Sequence, residues 1–325
     1  QQAPHQKAFE SYVRQGDDGA MRGLVLEGKA MSTAVNADGG YLASPALADR
    51  IASVLLSTSS LRQIANVVTV DALAYDVIVD RSGAGAGWAS EVAASVETST
   101  PLIERISIPL HELSALPKAS QRLLDDAAFD VEGWLAGRIA EKFRVSEASA
   151  FVSGDGVGKP KGFLDYGKLA NASYAWGSLG YIATGSAGGF GASADSLIDL
   201  VYALEAPYRG NGTFVMNSKT AGLVRKLKDA EGRFFWSDGL AAGQPARLLG
   251  YPVLILEAMP DVAANSYSIA FGDFAVGYTV AERPDLRILR DPFSAKPNVL
   301  FYATKRVGGN VSDFNAIKLL KFAAS

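Results

Sequence analysis

The chain contains no cysteine and only two histidines, His5 and His111, among 325 residues. Without cysteine there is no disulfide framework, no thiolate nucleophile and no Cys-ligated metal. With so few imidazoles, a His-rich metal centre or proton relay would need a second chain. An excess of charge is lacking too: 31 Lys+Arg stand against 34 Asp+Glu, a net −3. That balance excludes a protein whose main work is gripping nucleic acid through counterion release. The first 20 residues hold no apolar run of the kind a secretion signal needs. The longest uncharged stretch, Leu169 to Ala194, is too rich in Gly, Ser, Asn and Tyr to span a bilayer. A soluble, intracellularly made chain is the expectation, and its opening on Gln1 points to a processed or trimmed product.

What is present is 48% apolar and 20% charged residues, material for a substantial core in one large or two ordinary domains. Residues 1–40 read as an arm, because charges alternate in sign with few apolar anchors up to the Asp38-Gly39-Gly40 turn. Pro45 to Leu56 has helical spacing of Leu47, Ile51, Val54 and Leu55. From Val67 to Leu113 the period changes to two. Ile106, Ile108 and Leu110 alternate with Arg105, Ser107, Pro109 and His111, which predicts an edge strand with one apolar face. The tip between the two legs, SGAGAGWASEVAAS, carries Trp88 and Glu91. Legs of about 20 residues reach roughly 65 Å, against a radius of gyration of about 20 Å for a compact chain of this length. Such a ribbon projects from its body, and since an isolated hairpin is marginal in water, a neighbouring copy is the expected support.

Asp130 to Ser153 carries the strongest helix signal: Asp130 as N-cap, Phe129 and Trp134 as a hydrophobic staple, and Val131, Leu135, Ile139 and Phe143 at four-residue spacing. The second half alternates helices (195–204, 219–230) with strands (213–216, 252–256, 268–280). It returns as strands over 286–289, 299–303 and 316–322, with Gly308-Gly309 read as a separator. The pattern predicts an α+β body with a projecting ribbon.

Several stretches invite a chemical reading and fail it. SGDGVGKP (153–160) has the wrong glycine-to-lysine interval for a phosphate loop, Pro160 in place of Ser/Thr, and a preceding helix rather than a strand. No G-x-S-x-G occurs to make His111 a catalytic base, and Asp125-Asp126 suits a helix start better than a paired carboxylate site. No pattern calls for a catalytic residue, cofactor or metal. Charge distribution says more. Residues 67–113 hold seven acids (Asp71, Asp76, Asp80, Glu91, Glu97, Glu104, Glu112) against two bases (Arg81, Arg105). Residues 283–325 hold eight bases (Arg283, Arg287, Arg290, Lys296, Lys305, Arg306, Lys318, Lys321) against three acids (Asp285, Asp291, Asp313). The expectation is an acidic ribbon lying across a basic surface of the next subunit. Trp88 and Glu91 would contact it with Asp76, Asp80 and Glu104, opposite Arg287, Arg290, Lys296, Lys305 and Arg306.

The ordered set GGYLASP (39–45), Trp88 with Glu91, LLDDAAFDVEGWL (123–135), SGDGVGKPKGFL (153–164), FVMNSKTAGLVRKLKDAEGR (214–233), LLGYPV (248–253), IAFGDFAVGY (269–278) and RVGGNVSDFNAIKLLK (306–321) resembles the major capsid proteins of tailed bacteriophages. These have the Hong Kong 97 type of fold and include capsids of gene transfer agents. The resemblance implies an arm (1–40), a peripheral domain (41–66, 114–190 with the spine helix, and 286–325), an extended loop over a neighbour (67–113) and an axial domain (191–285). It implies pentamers and hexamers in a shell around packaged DNA, without sequence-specific binding or membrane. Portal, scaffold or maturation protease would be partners, and the particle would be built in the bacterial host cytoplasm. Some members crosslink a loop lysine to an asparagine with help from a glutamate. Here no lysine occurs between Lys29 and Lys118, Asn298 looks like the acceptor, and Lys305 stands where the glutamate is expected, so a non-crosslinked shell is implied. An encapsulin-like compartment of the same fold, and a carboxylate-dependent hydrolase, are the rival readings.

Overall fold

The computed structural model describes residues 60–80, 103–120, 131–191, 195–227, 236, 247–284, 286–291, 294, 296 and 298–324. The arm, the helix expected at 45–56, the ribbon tip with Trp88 and Glu91, Asp125-Asp126 and the Asp130 cap lie outside them.

Contacts divide the chain into two units, each discontinuous in sequence. The described parts of the first are 113–120, 131–144, 286–291, 294, 296 and 298–305, and those of the second 60–80, 103–112, 145–191, 195–227, 236, 247–284 and 306–324. In the first unit the helix α1 (Val131–Ser153, of which 131–144 belong here) packs Leu135, Ile139, Ala140 and Phe143 on Ala119, Ile288, Val299, Phe301 and Ala303. The four-residue stripe read from the sequence is therefore the buried stripe. Trp134 is half exposed and holds Arg138 over its ring at 5.6 Å.

The second unit is built on a seven-stranded mixed sheet, in the order β6 (Gly167–Ala170), β7 (Ser178–Ala183), β15 (Ile317–Lys321), β11 (Tyr267–Gly272), β8 (Thr213–Met216), β10 (Tyr251–Ile255) and β9 (Arg247–Leu248). Successive side chains of a strand face opposite ways, and both faces are covered. Val215, Ala270 and Leu319 join a cluster with Phe151, Phe163, Phe274 and Tyr278. Phe214, Met216, Ile269, Phe271 and Leu320 join another with the helices α2 (Asp195–Tyr202) and α4 (Ser218–Arg225). This explains the apolar run Phe214–Met216 and the burial of all four residues of β8. Two one-turn helices, α3 (Ala206–Arg209) and α5 (Phe274–Gly277), complete the helical set among the described residues.

The remaining strands flank β14 (Asn298–Val311). Its later half pairs with β12 (Tyr278–Glu282), which pairs in parallel with β1 (Asn66–Thr69). Its earlier half pairs with β13 (Arg287–Asp291) and β5 (Lys118–Ser120). The strand β4 (His111–Ala115) also pairs with β14.

One expectation changes here. Gly308-Gly309 does not separate strands but lies within β14. A Cβ at Gly308 would stand 2.4 Å from the Pro109 carbonyl oxygen, and one at Gly309 would stand 2.5 Å from the Tyr278 hydroxyl. The glycines serve close packing within a strand. Of the returning strands, β14 and β15 belong to different sheets. Alternation of apolar residues marks a strand without saying which sheet receives it.

Candidate functional site

The ribbon is the part of the second unit that its own chain leaves incomplete. Two strands, β2 (Ala74–Asp80) and β3 (Ile103–Pro109), pair antiparallel from Ala74↔Pro109 to Asp80↔Ile103, and among the described residues they bond to no third strand. The ribbon is shorter at its base than the 67–113 reading, because Asn66–Thr69 and His111–Ala115 are taken into the β14 sheet. Seven residues per strand reach about 23 Å.

The two faces of the ribbon differ as the period-two pattern predicts. On one, Ile108 is fully buried and Ile106 packs on the cluster around Phe151 and Tyr278. Polar contacts fix this face: Trp176 donates from Nε1 to Glu104 at 3.0 Å, and Asn310 donates from Nδ2 to the Ser107 carbonyl at 3.4 Å while Tyr166 donates to Asn310 Oδ1. The other face presents Ile78 at 72% exposure and Ile103 at 74%, beside the Arg105–Asp76 ion pair at 3.5 Å. Ile78 lies opposite Arg105 and diagonal to Ile103, so an apolar step sits next to a charged pair. Leu73, at the foot of β2, is 74% exposed.

The predicted site residues fall into three groups. Asp76, Glu104 and Arg105 are on the ribbon as expected, but two of its acids are engaged within the chain: Asp76 by Arg105 and Glu104 by Trp176. Asp80 occupies the last described ribbon position, opposite Ile103. The basic residues are dispersed. Arg287 is exposed on β13, Arg290 lies opposite Phe301 in the same strand pair, and Lys296 is exposed in the segment before β14. Arg306 reaches Glu112 at 3.8 Å. Lys305 is buried, 8% exposed. Lys318, counted in the same basic tail, is 5% exposed, with its ammonium 4.1 Å from the centre of the Tyr174 ring. Burial pulls the Lys318 amine below the ordinary lysine range, against the pull of Glu205 and Asp313. A charge count along the sequence therefore overstates the basic face. His111 is half buried on β4.

Lys159 is tied to Asp155 at 3.4 Å, and Asp155 Oδ1 accepts from the Val157 amide at 3.0 Å. The 153–160 loop turns back on itself at Gly156 (φ 80°) and Gly158 (φ 65°). This is the helix-terminating loop expected.

One constellation went unread in the sequence. Arg62, in the 3-10 turn Leu61–Gln63, donates from Nε to Glu147 at 2.8 Å and from Nη1 to Glu282 at 2.7 Å, with its guanidinium carbon 5.8 Å from the Phe151 ring centre. Burial pulls the Arg62 pKa down, but the two carboxylates outweigh it and hold the guanidinium above its ordinary value. The signal was present: Glu147 continues the stripe Leu135, Ile139, Phe143 and precedes Phe151 at the same spacing, so a charge sits where the pattern requires burial. A buried carboxylate demands a buried cation.

A model of the phage capsid family matches residues 39–322. The chain is 68% identical to the capsid of a native GTA particle, with a TM-score of 0.77 over 90% of this chain and 100% of that one. It is 69% identical to the capsid of an empty GTA particle, with a TM-score of 0.75 over 82% of this chain and 97% of that one. The major capsid protein of Escherichia phage T5 is 24% identical over 273 residues, 77% of this chain and 55% of that protein, so the chain spans about half the length of this curated relative.

Proposed function

The chain belongs to the phage capsid family, with the Hong Kong 97-type α+β fold, and we propose that it is a major capsid protein whose copies form the pentamers and hexamers of an icosahedral-type shell around packaged double-stranded DNA. The observation that carries this reading is high identity along the full length of a particle capsid. The ribbon supports it. A pair of strands held to its own body on one face and bearing Ile78 and Ile103 on the other is suited to cover a neighbouring copy. Each such contact is weak, and a closed shell multiplies it over every copy.

In this reading 67–113 is the extended loop, 191–285 the axial domain meeting its copies at the shell's symmetry centres, and 41–66, 114–190 and 286–325 the peripheral domain behind the arm. Portal, scaffold and maturation protease act during assembly in the host cytoplasm, and no residue is assigned a catalytic step. Trp88 and Glu91 at the ribbon tip contact the neighbour. The shell is not crosslinked, since the ribbon sequence offers no amine.

The test is electron microscopy of the purified full chain, followed by nuclease treatment of particles from the natural host. Closed shells that protect DNA and run as monomers on denaturing gels are expected. Absence of shells, or shells filled with protein instead of DNA, overturns the assignment. A ladder at multiples of the monomer mass overturns the non-crosslinked part alone.

A further inference from the structure

The helices α2 and α4 both pack on one core cluster, through Leu197, Leu200 and Val201 from α2 and Ala221 and Val224 from α4. Their outer faces carry opposite charge. On α2 the exposed positions are Asp195, Ile198, Asp199 and Tyr202, spaced i, i+3, i+4 and i+7, with exposed Glu205 just beyond. Ile198 is 37% and Tyr202 69% exposed, and Arg209 stacks over the Tyr202 ring at 4.7 Å. The exposed positions on α4 include Lys219, Leu223 and, at its helical C-cap, Lys226, spaced i, i+4 and i+7, with Arg225 beside them. Lys219 is held by Asp261 at 2.6 Å, and Glu257 accepts from Ser218. Arg225 stacks over the Trp236 ring at 5.0 Å, and on the same face as Lys219 the C-terminal end presents Leu223, at 43% exposure, next to exposed Lys226.

The α2 face sets Ile198 and Tyr202 beside three acids, with Arg209 stacked on the Tyr202 ring, and the C-terminal end of α4 sets Leu223 beside Lys226. Both faces turn away from the core they share. We propose that the acidic α2 face of one copy docks on the basic C-terminal end of α4 of the next, Ile198 and Tyr202 covering Leu223 while Asp199 faces Lys226. This rests on the shell reading and names the surfaces that join copies within a ring. The two patches differ, so the contact is head-to-tail, and repetition of it closes a ring when the rotation per copy divides a full turn. Charge complementarity selects the register and speeds encounter, and apolar burial holds it.

The test uses the full-length chain with Asp199→Lys and Lys226→Glu, singly and together, read by sedimentation and electron microscopy at about 50 mM and about 500 mM salt. Circular dichroism and melting curves establish that each variant folds. Each single reversal sets like charges opposite each other and should lower particle yield at least about tenfold at low salt. High salt should narrow that deficit, and the double variant, with the pair restored in reverse, should recover assembly. Single variants that assemble like the unaltered chain overturn the inference and assign these faces to another occupant. So does a double variant that melts normally yet does not recover. Both results leave the unaltered chain forming shells, whereas failure of that chain to assemble would bring down the shell reading itself.

Discussion

The seven-stranded sheet and the two-stranded ribbon are built from strands of similar length and opposite fate. In the sheet, β8 and β15 bury nearly every residue, because each face meets a core of its own. Among the described ribbon residues only Ile108 is fully buried, and Ile78 and Ile103 stand open beside an ion pair. The sheet is complete within one chain; the ribbon holds apolar surface that one chain does not cover. Stability is therefore a property of the body, and assembly a property of what the body leaves exposed.

The comparison is broken most severely at Arg62. Arg62→Ala takes the cation from between Glu147 and Glu282 and should cost the fold about 3–5 kcal/mol, read as a lowered denaturation midpoint. A second attack on the body is Gly272→Ala. The new methyl would lie 2.1 Å from the Ala316 carbonyl oxygen, where β11 meets the entry to β15, and the backbone shift should cost about 1–3 kcal/mol in the same assay.

The ribbon should respond the other way. Ile78→Asp combined with Ile103→Asp should leave the melting of the isolated chain within about 0.5 kcal/mol of the original while particle yield collapses. Loss of fold in that variant would show that the ribbon face is structural. The smallest effect is expected at high pH. Tyr166 and Tyr208 are each pushed up to about 12, Tyr166 by burial and Tyr208 by burial together with its bond to Asp313. Below the ordinary tyrosine value of about 10 their contribution to stability is intact. As pH rises from there through about 12 the unfolded chain ionises first and the contribution is lost. Tyr208→Phe should flatten the decline of unfolding free energy with pH, whereas the ribbon double variant should leave it unchanged.

Much of this was legible in the residues. The stripe Leu135, Ile139, Phe143 and the two faces of β3 follow from periodicity alone, because burial acts on every third, fourth or second side chain. What stayed hidden depends on contacts distant in sequence. Gly308-Gly309 looks like a break until Pro109 and Tyr278 are seen crowding it. Lys305 and Lys318 look like surface charge because a count carries no burial. Arg62 meets partners 85 and 220 residues away, beyond the reach of any local pattern.

The discontinuity of the first unit has a consequence in time. Its core joins Leu135, Ile139 and Phe143 to Ile288, Val299 and Phe301. A ribosome adding about 5–20 residues per second makes the first set roughly seven to thirty seconds before the second. Until then the apolar stripe of α1 has no partner strands from β13 and β14 to cover it, and any chaperone that acts on the nascent chain has this stripe to hold. Synthesis thus sets a delay before a copy becomes competent to join its neighbours, and slow long-range closure of this kind is the step at which truncated chains would aggregate.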